Sequence, residues 1–259
     1  MSRTFRVLRR LPRWVRAGLR EGIEAVRFFS GVIAIWFAWT SIAFATYYIP
    51  TESMQPTLEV GDRIIVSKWA YGYSRHSLPL GLGDVLLPDW GGRIGWAEPQ
   101  RGDVIVLQSP SADLVLIKRV TGVPGDVVEV RDGRLVINGE MVVREQSEMR
   151  TYRQHNGIPA VVEVMAFEEE LPGGPVHWIY ERTDRHPLDD FGPVRVPDGH
   201  VFLMGDNRDN SIDSRAQGGP GFVPMANIIG RAETVPFTLE RCQREPDLHC
   251  PTGRVWRPL

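Results

Sequence analysis

Residues Phe28–Tyr48 (FFSGVIAIWFAWTSIAFATYY) form a run of 21 residues without a charge, and no other feature limits the possible folds of this 259-residue chain as much. As a helix rising about 1.5 Å per residue, the run would be roughly 31 Å long, the thickness of a bilayer core. Trp36, Trp39, Tyr47 and Tyr48 lie near its later half and exit, where interfacial anchors sit. The 27 residues ahead of it hold eight arginines and two glutamates, and the rest of the chain holds 22 basic against 30 acidic residues. A basic arm thus precedes an acidic body. The body's charge argues against nucleic-acid binding, and the arm suits an anionic membrane face. The positive-inside rule puts the N-terminus in the cytoplasm and everything after Tyr48 outside it.

These signals predict a cytoplasmic amphipathic segment over 1–27, a single transmembrane helix over 28–48 and an extracytoplasmic domain over 49–259. In the first segment Phe5, Leu8, Leu11, Val15, Leu19, Ile23 and Val26 recur at helical steps, and Pro12 is a candidate interruption. A cleaved leader is the rival reading, because Ala43 and Ala45 flank Phe44. The long front and full-length run favour an uncleaved anchor, while a cut near Ala45 stays open. Cys242 and Cys250 lie eight positions apart in the exported part, and a disulfide or two free thiols both fit.

Beyond residue 50 the pattern changes to short apolar runs bounded by Gly, Pro and Asp. They occupy 62–69, 103–108, 114–120, 127–131, 135–137, 140–144, 161–167, 176–180 and 200–204. Asn138-Gly139 is a hairpin signal. The expected fold is mostly β, an antiparallel catalytic domain with an inserted β-rich lobe over about 132–195. Residues 74–100, rich in Gly, Leu, Pro and Trp, have weak strand character.

Three segments concentrate catalytic residue types. Pro50–Leu58 (PTESMQPTL) carries Ser53 within roughly 17 Å of extended chain from Tyr48. Asp113–Asp126 carries Lys118, one of only two lysines against 28 arginines. Guanidinium stays protonated, whereas a lysine among apolar neighbours can become a base. Codon-biased drift would also produce this scarcity. On a strand, Leu116, Lys118 and Val120 share one face. Met204–Arg215 (MGDNRDNSIDSR) is dense in polar groups, but lacks the glutamate-terminated pattern of an EF-hand calcium loop. A serine nucleophile needs a base. No G-x-S-x-G elbow is present, and no histidine sits in a recognisable catalytic motif. A folded serine–histidine–aspartate triad stays open, with Lys118 the better candidate.

Ile49–Gly72, Arg101–Leu107, Ile117–Asp126 and Gly205–Arg215 together resemble the signature boxes of bacterial type I signal peptidases, in order and in position relative to the apolar run. That resemblance implies a membrane-bound Ser/Lys-dyad peptidase that removes signal peptides after Ala-X-Ala-type small residues. Its partners would be exported preproteins, the lipid bilayer and the secretion machinery. It implies Ser53 as nucleophile, Lys118 as base, and an oxyanion hole from Thr51 and the Ser53 amide. Ser211 would orient the Lys118 amine, with Asp213 and Arg215 as a supporting ion pair. Tyr47, Ile49, Pro50, Met54, Leu58, Leu116 and Ile117 would line the substrate pockets. The resemblance implies that neither metal nor organic cofactor takes part, and that Lys68 has no catalytic role. Two rival readings are a soluble self-cleaving peptidase with the same dyad and a non-catalytic anchored β-domain that binds exported chains.

Overall fold

The computed structural model describes residues 12–78, 81–95, 97–154, 160–183, 185–239 and 253–259. The chain divides into two compact units, one ending at Ile42 and one spanning Ala43–Leu259.

The first unit is helix α1 (Arg13–Ile42). Val26, Phe28, Phe29, Ile33, Ile35, Trp36, Trp39 and Ile42 are all exposed on it. The charge-free run does not stay helical to Tyr48 as expected. Helix ends at Ile42, and β1 (Phe44–Tyr48) pairs antiparallel with β2 (Asp62–Ser67), Thr46 opposite Ile65 and Tyr47 opposite Ile64. Thr46, Tyr47 and Tyr48 favour strands, and pairing with β2 satisfies their backbone groups. Only Phe28–Ile42 is both helical and uncharged, about 22 Å of helix. Among the described residues no helix is long and apolar enough to cross a membrane.

The second unit is antiparallel β throughout its sheets. After β1 and β2 come β3 (Tyr73–Ser74), β4 (Arg93–Ile94), β5 (Val104–Gln108), β6 (Val115–Gly122), β7 (Val127–Arg131), β8 (Arg134–Ile137), β9 (Glu140–Met141) and β10 (Val143–Gln154). There follow β11 (Ala160–Glu170), β12 (Val176–Glu181), β13 (Phe191–Arg195), β14 (His200–Met204), β15 (Val223–Pro224), β16 (Ile228–Thr238) and β17 (Arg257–Pro258). The main sheet runs β1-β2-β16-β5-β6-β14-β15, with β17 beside β16. β5 reads as an unbroken apolar run because both of its faces are covered. Val104 and Val106 join a cluster with Met54, Leu58, Ile64, Val66 and Val235. Ile105 and Leu107 join another with Tyr71, Val120, Val201, Leu203 and Ile228. Burying each such side chain contributes on the order of 2 kcal/mol.

The lobe is two sheets, β10-β11-β12 and β13-β7-β8-β9. Asn138 (φ 55°) and Gly139 (φ 85°) form the two-residue turn between β8 and β9, as their sequence predicts. β8 and β13 both hydrogen-bond β7, so this sheet of the lobe also includes Val127–Arg131, just ahead of the expected start of the insert at about 132. Residues 74–100 contain β4 and a one-turn helix, α2 (Leu82–Leu86), with Leu82, Val85, Leu86 and Ile94 exposed. β16 was invisible to alternation because bulges interrupt its register against both neighbours. Cys242 and Cys250 lie outside the described residues.

Candidate active site

Ser53 sits in a single 3₁₀ turn, Glu52–Met54, between Ile49 and Leu58, both buried in the main core. Burial of Met54 and Leu58 on one side fixes the turn. On the other side the Asn207 amide donates to Ser53 O (3.2 Å) and Asn207 Nδ2 donates to Glu52 O (3.2 Å).

Lys118 lies on β6 and is almost fully buried. Its Nζ donates to Ser53 Oγ at 2.9 Å and to Ile117 O at 3.0 Å. Burial pushes the Lys118 ammonium down to about 8, against the opposing pull of Asp213 and Asp206. Those carboxylates are themselves neutralised. Burial alone would raise both, but Arg119 holds Asp206 and Arg215 holds Asp213 below the ordinary carboxylate range. Arg119 makes a bidentate pair with Asp206 (2.8 and 2.7 Å) and also donates to Gly102 O and Thr57 Oγ1. One guanidinium therefore ties together all four sequence segments that frame the site, a use for which lysine has too few donors. Arg215 pairs with Asp213 through Nε (3.0 Å) and Nη2 (2.9 Å). With Asp206 and Asp213 so engaged, the segment is no calcium loop.

Ser211 departs from expectation. Its Oγ is buried and makes no hydrogen bond, so the anticipated bond to Lys118 is not formed. The Lys118 amine is turned instead toward Ser53 and Ile117 O. Ser211 packs against Gly205, where a β-carbon would overlap both Ser211 Oγ and Ser53 O. Thr51 precedes the Ser53 turn in extended conformation (φ −133°, ψ 159°) and is half-buried. The seven anticipated pocket residues do not share one face. Ile49, Met54 and Leu58 are buried core, with Tyr47 and Ile117 packed against them, whereas Leu116 packs on the opposite cluster. Alternation along β6 separates Leu116 from Ile117. Pro50 is exposed.

Sequence reasoning missed the groups that hold the 205–215 segment from the lobe. The Tyr180 amide donates to Asp206 O (2.8 Å), and Tyr180 forms a parallel bridge with Asn207. Buried Arg208 pairs with buried Glu169 through both nitrogens. Glu169 is buried out of phase with Val162, Val164 and Ala166 on β11, and only the fold shows that break in alternation.

The structure thus places a buried amine against a serine hydroxyl, with two arginine-paired carboxylates behind it. The family described as "Signal peptidase, peptidase S26" matches residues 22–237. Signal peptidase I of Rickettsia typhi is 35% identical over 219 residues, 81% of this chain and 78% of the relative. Signal peptidase I of Pseudomonas aeruginosa is 37% identical over 222 residues, 82% and 72% of the two chains. A crystal structure of a signal peptidase I from Enterococcus faecalis is 27% identical and covers 52% of this chain and 97% of its own, with a TM-score of 0.31. The chain belongs to the signal peptidase S26 family and is a serine protease.

Proposed function

We propose that this protease removes N-terminal signal peptides from exported preproteins, cutting after small residues of the Ala-X-Ala type through a Ser53/Lys118 dyad. The 2.9 Å approach of Lys118 Nζ to Ser53 Oγ carries the reading. An amine titrating near 8 has a usable neutral fraction at neutral pH. In that form it takes the Ser53 proton as Oγ attacks the scissile carbonyl. The oxyanion would form beside the Thr51 hydroxyl and the Ser53 amide, each donor contributing about 3 kcal/mol. Collapse of the adduct passes the proton from Lys118 to the leaving amine and leaves an acyl-enzyme. Lys118 then deprotonates the water that hydrolyses it.

Room for an extended substrate supports this route. β14 pairs with β6 only from Arg119 onward, so Val115–Lys118 has no strand on that side among the described residues. A peptide added there would run past Ser53 with its backbone hydrogen-bonded. Of the anticipated lining residues, Tyr47, Pro50, Leu116 and Ile117 are not fully buried, and Ile117 lies beside Lys118 on the unpaired side of β6. In this proposal the exposed apolar surface of α1 anchors the enzyme in the inner membrane. The arginine arm is cytoplasmic and the β domain lies on the periplasmic side. Anchoring confines enzyme and precursor to one surface and raises their effective concentration.

The test is cleavage of a purified preprotein by the full chain in detergent, with the new N-terminus sequenced. Cleavage directly after an Ala-X-Ala segment, absent in Ser53→Ala, is expected. Cleavage elsewhere, or persistence in Ser53→Ala, would sink the assignment.

A further inference from the structure

His186, Asp189 and Asp209 lie outside the dyad and bring their ligand-capable atoms within 4.8 Å of one another. They join two distant stretches, the β12–β13 connection and the 3₁₀ turn Arg208–Asn210. Asp209 is the informative member. Its side chain is 1% exposed, and Oδ2 accepts from the Arg182 (2.8 Å) and Thr183 (3.0 Å) amides. Its Oδ1 is buried without a hydrogen bond and faces His186 Nδ1 at 3.7 Å. A buried carboxylate oxygen with no donor is costly, and its nearest neighbours do little to offset it. Asp189 is buried, and its Oδ2 accepts from the His186 amide. Glu181 adds a third carboxylate: a β-carbon at Gly133 would lie 3.4 Å from Glu181 Oε2 and 3.7 Å from Asp189 Oδ1. Arg144 pairs with Glu181 Oε1 (2.6 Å), and Arg208 is already engaged with Glu169.

We infer that His186, Asp189 and Asp209 bind a divalent first-row transition cation. One imidazole and two carboxylates suit zinc or manganese, and the nitrogen donor favours zinc over calcium. His186 Nδ1 accepts only a long bond (3.4 Å) from the Leu188 amide, so its lone pair is readily exchanged for a metal. Small side-chain rotations close the cluster on an ion with bonds of about 2.1 Å. The ion takes no part in peptide hydrolysis. It pins Asp209, two residues before Ser211, and so braces the segment that holds Asp206 and Asp213 behind Lys118.

The experiment uses the full chain in detergent, stripped with a chelator, and titrates ZnCl2, MnCl2 or CaCl2 by calorimetry and thermal melting. One zinc per chain is expected, tighter than manganese and calcium, raising Tm by roughly 5 °C at a hundred times Kd. His186→Ala and Asp189→Asn should each weaken zinc at least about tenfold, with melting of the metal-free protein reported alongside. Asp209→Asn is avoided because it also caps two backbone amides. Co2+ gives a second readout that does not depend on stability. A d–d spectrum without a thiolate charge-transfer band is expected, and is lost in His186→Gln. No saturable binding of any of the three ions up to millimolar concentration would overturn the inference. So would unchanged binding in His186→Ala, tighter calcium than zinc, or a thiolate band pointing to Cys242 and Cys250.

Discussion

The main sheet and the lobe build stability in different ways. Around β5 and β6 the sheet is covered on both faces by aliphatic side chains, and the one amine placed there, Lys118, is forced toward neutrality. In the lobe, β11 alternates between exposed and buried positions, and two buried charged groups, Glu169 and Arg208, neutralise each other. Both Arg208 and Glu169 stay ionised despite burial, the latter held below the ordinary carboxylate range by its partner. A buried charge with a bidentate partner stays ionised and clamps, whereas the buried Lys118 amine is pushed toward its neutral form. The lobe therefore grips the 205–215 segment from behind, and the sheet supplies the dry wall against which chemistry happens.

That contrast is breakable at graded cost. Lys118→Arg should cut cleavage of a preprotein by about 10⁴-fold or more, since guanidinium cannot serve as a base; a fully active variant would remove Lys118 from the chemistry. Gly205→Ala pushes a β-carbon into Ser211 Oγ and Ser53 O, and a displaced nucleophile should lower kcat roughly 10²-fold. An unchanged kcat would mean that the Ser53 turn tolerates movement. The pH profile probes the dry wall directly. Burial depresses the Lys118 pKa, and in the proposed mechanism the neutral amine is the active form. Below pH 8 the rate should fall about tenfold per unit, and it should level off above 8. A flat rate from pH 5 to 9 would contradict this. Glu169→Gln should cost about 3 kcal/mol in urea unfolding by stranding Arg208, with a loss of kcat smaller than for Gly205→Ala. A loss as large as for Lys118→Arg would erase the distinction between the two regions. Smallest of all, Lys68→Arg should leave cleavage within about threefold of the parent, although Lys68 is also buried and its ammonium is also pushed down by burial. The difference between the two lysines is position, and only Lys118 reaches the serine.

Much of the site was legible because its chemistry is carried by residue types in short segments. Ser53 and Lys118 stood out by residue type, the resemblance to type I signal peptidases added Asp213 and Arg215, and the fold brings Ser53 and Lys118 within 2.9 Å of each other. The Asn138-Gly139 turn was legible because both positions require positive φ, which few residue pairs accept. What failed shares one cause. The charge-free run was read as a single element, yet its last five residues are claimed by β2, whose paired residues lie 15 to 23 positions away, from Tyr48–Arg63 to Phe44–Ser67. Likewise the bulged strand β16 and the Ser211 contact depend on neighbours remote in sequence.

By itself the sequence determined a basic arm, an apolar run, an antiparallel body and a serine and lysine suited to one another, since charge, hydropathy and side-chain chemistry are properties of residues. Only the tertiary structure decided that Lys118 is dry, that Arg119 reaches three other segments, that the lobe holds Asp206 and Arg208, and that Asp209 meets His186. Solvent exclusion and through-space distance have no counterpart along the chain, because both arise from which surfaces are brought together.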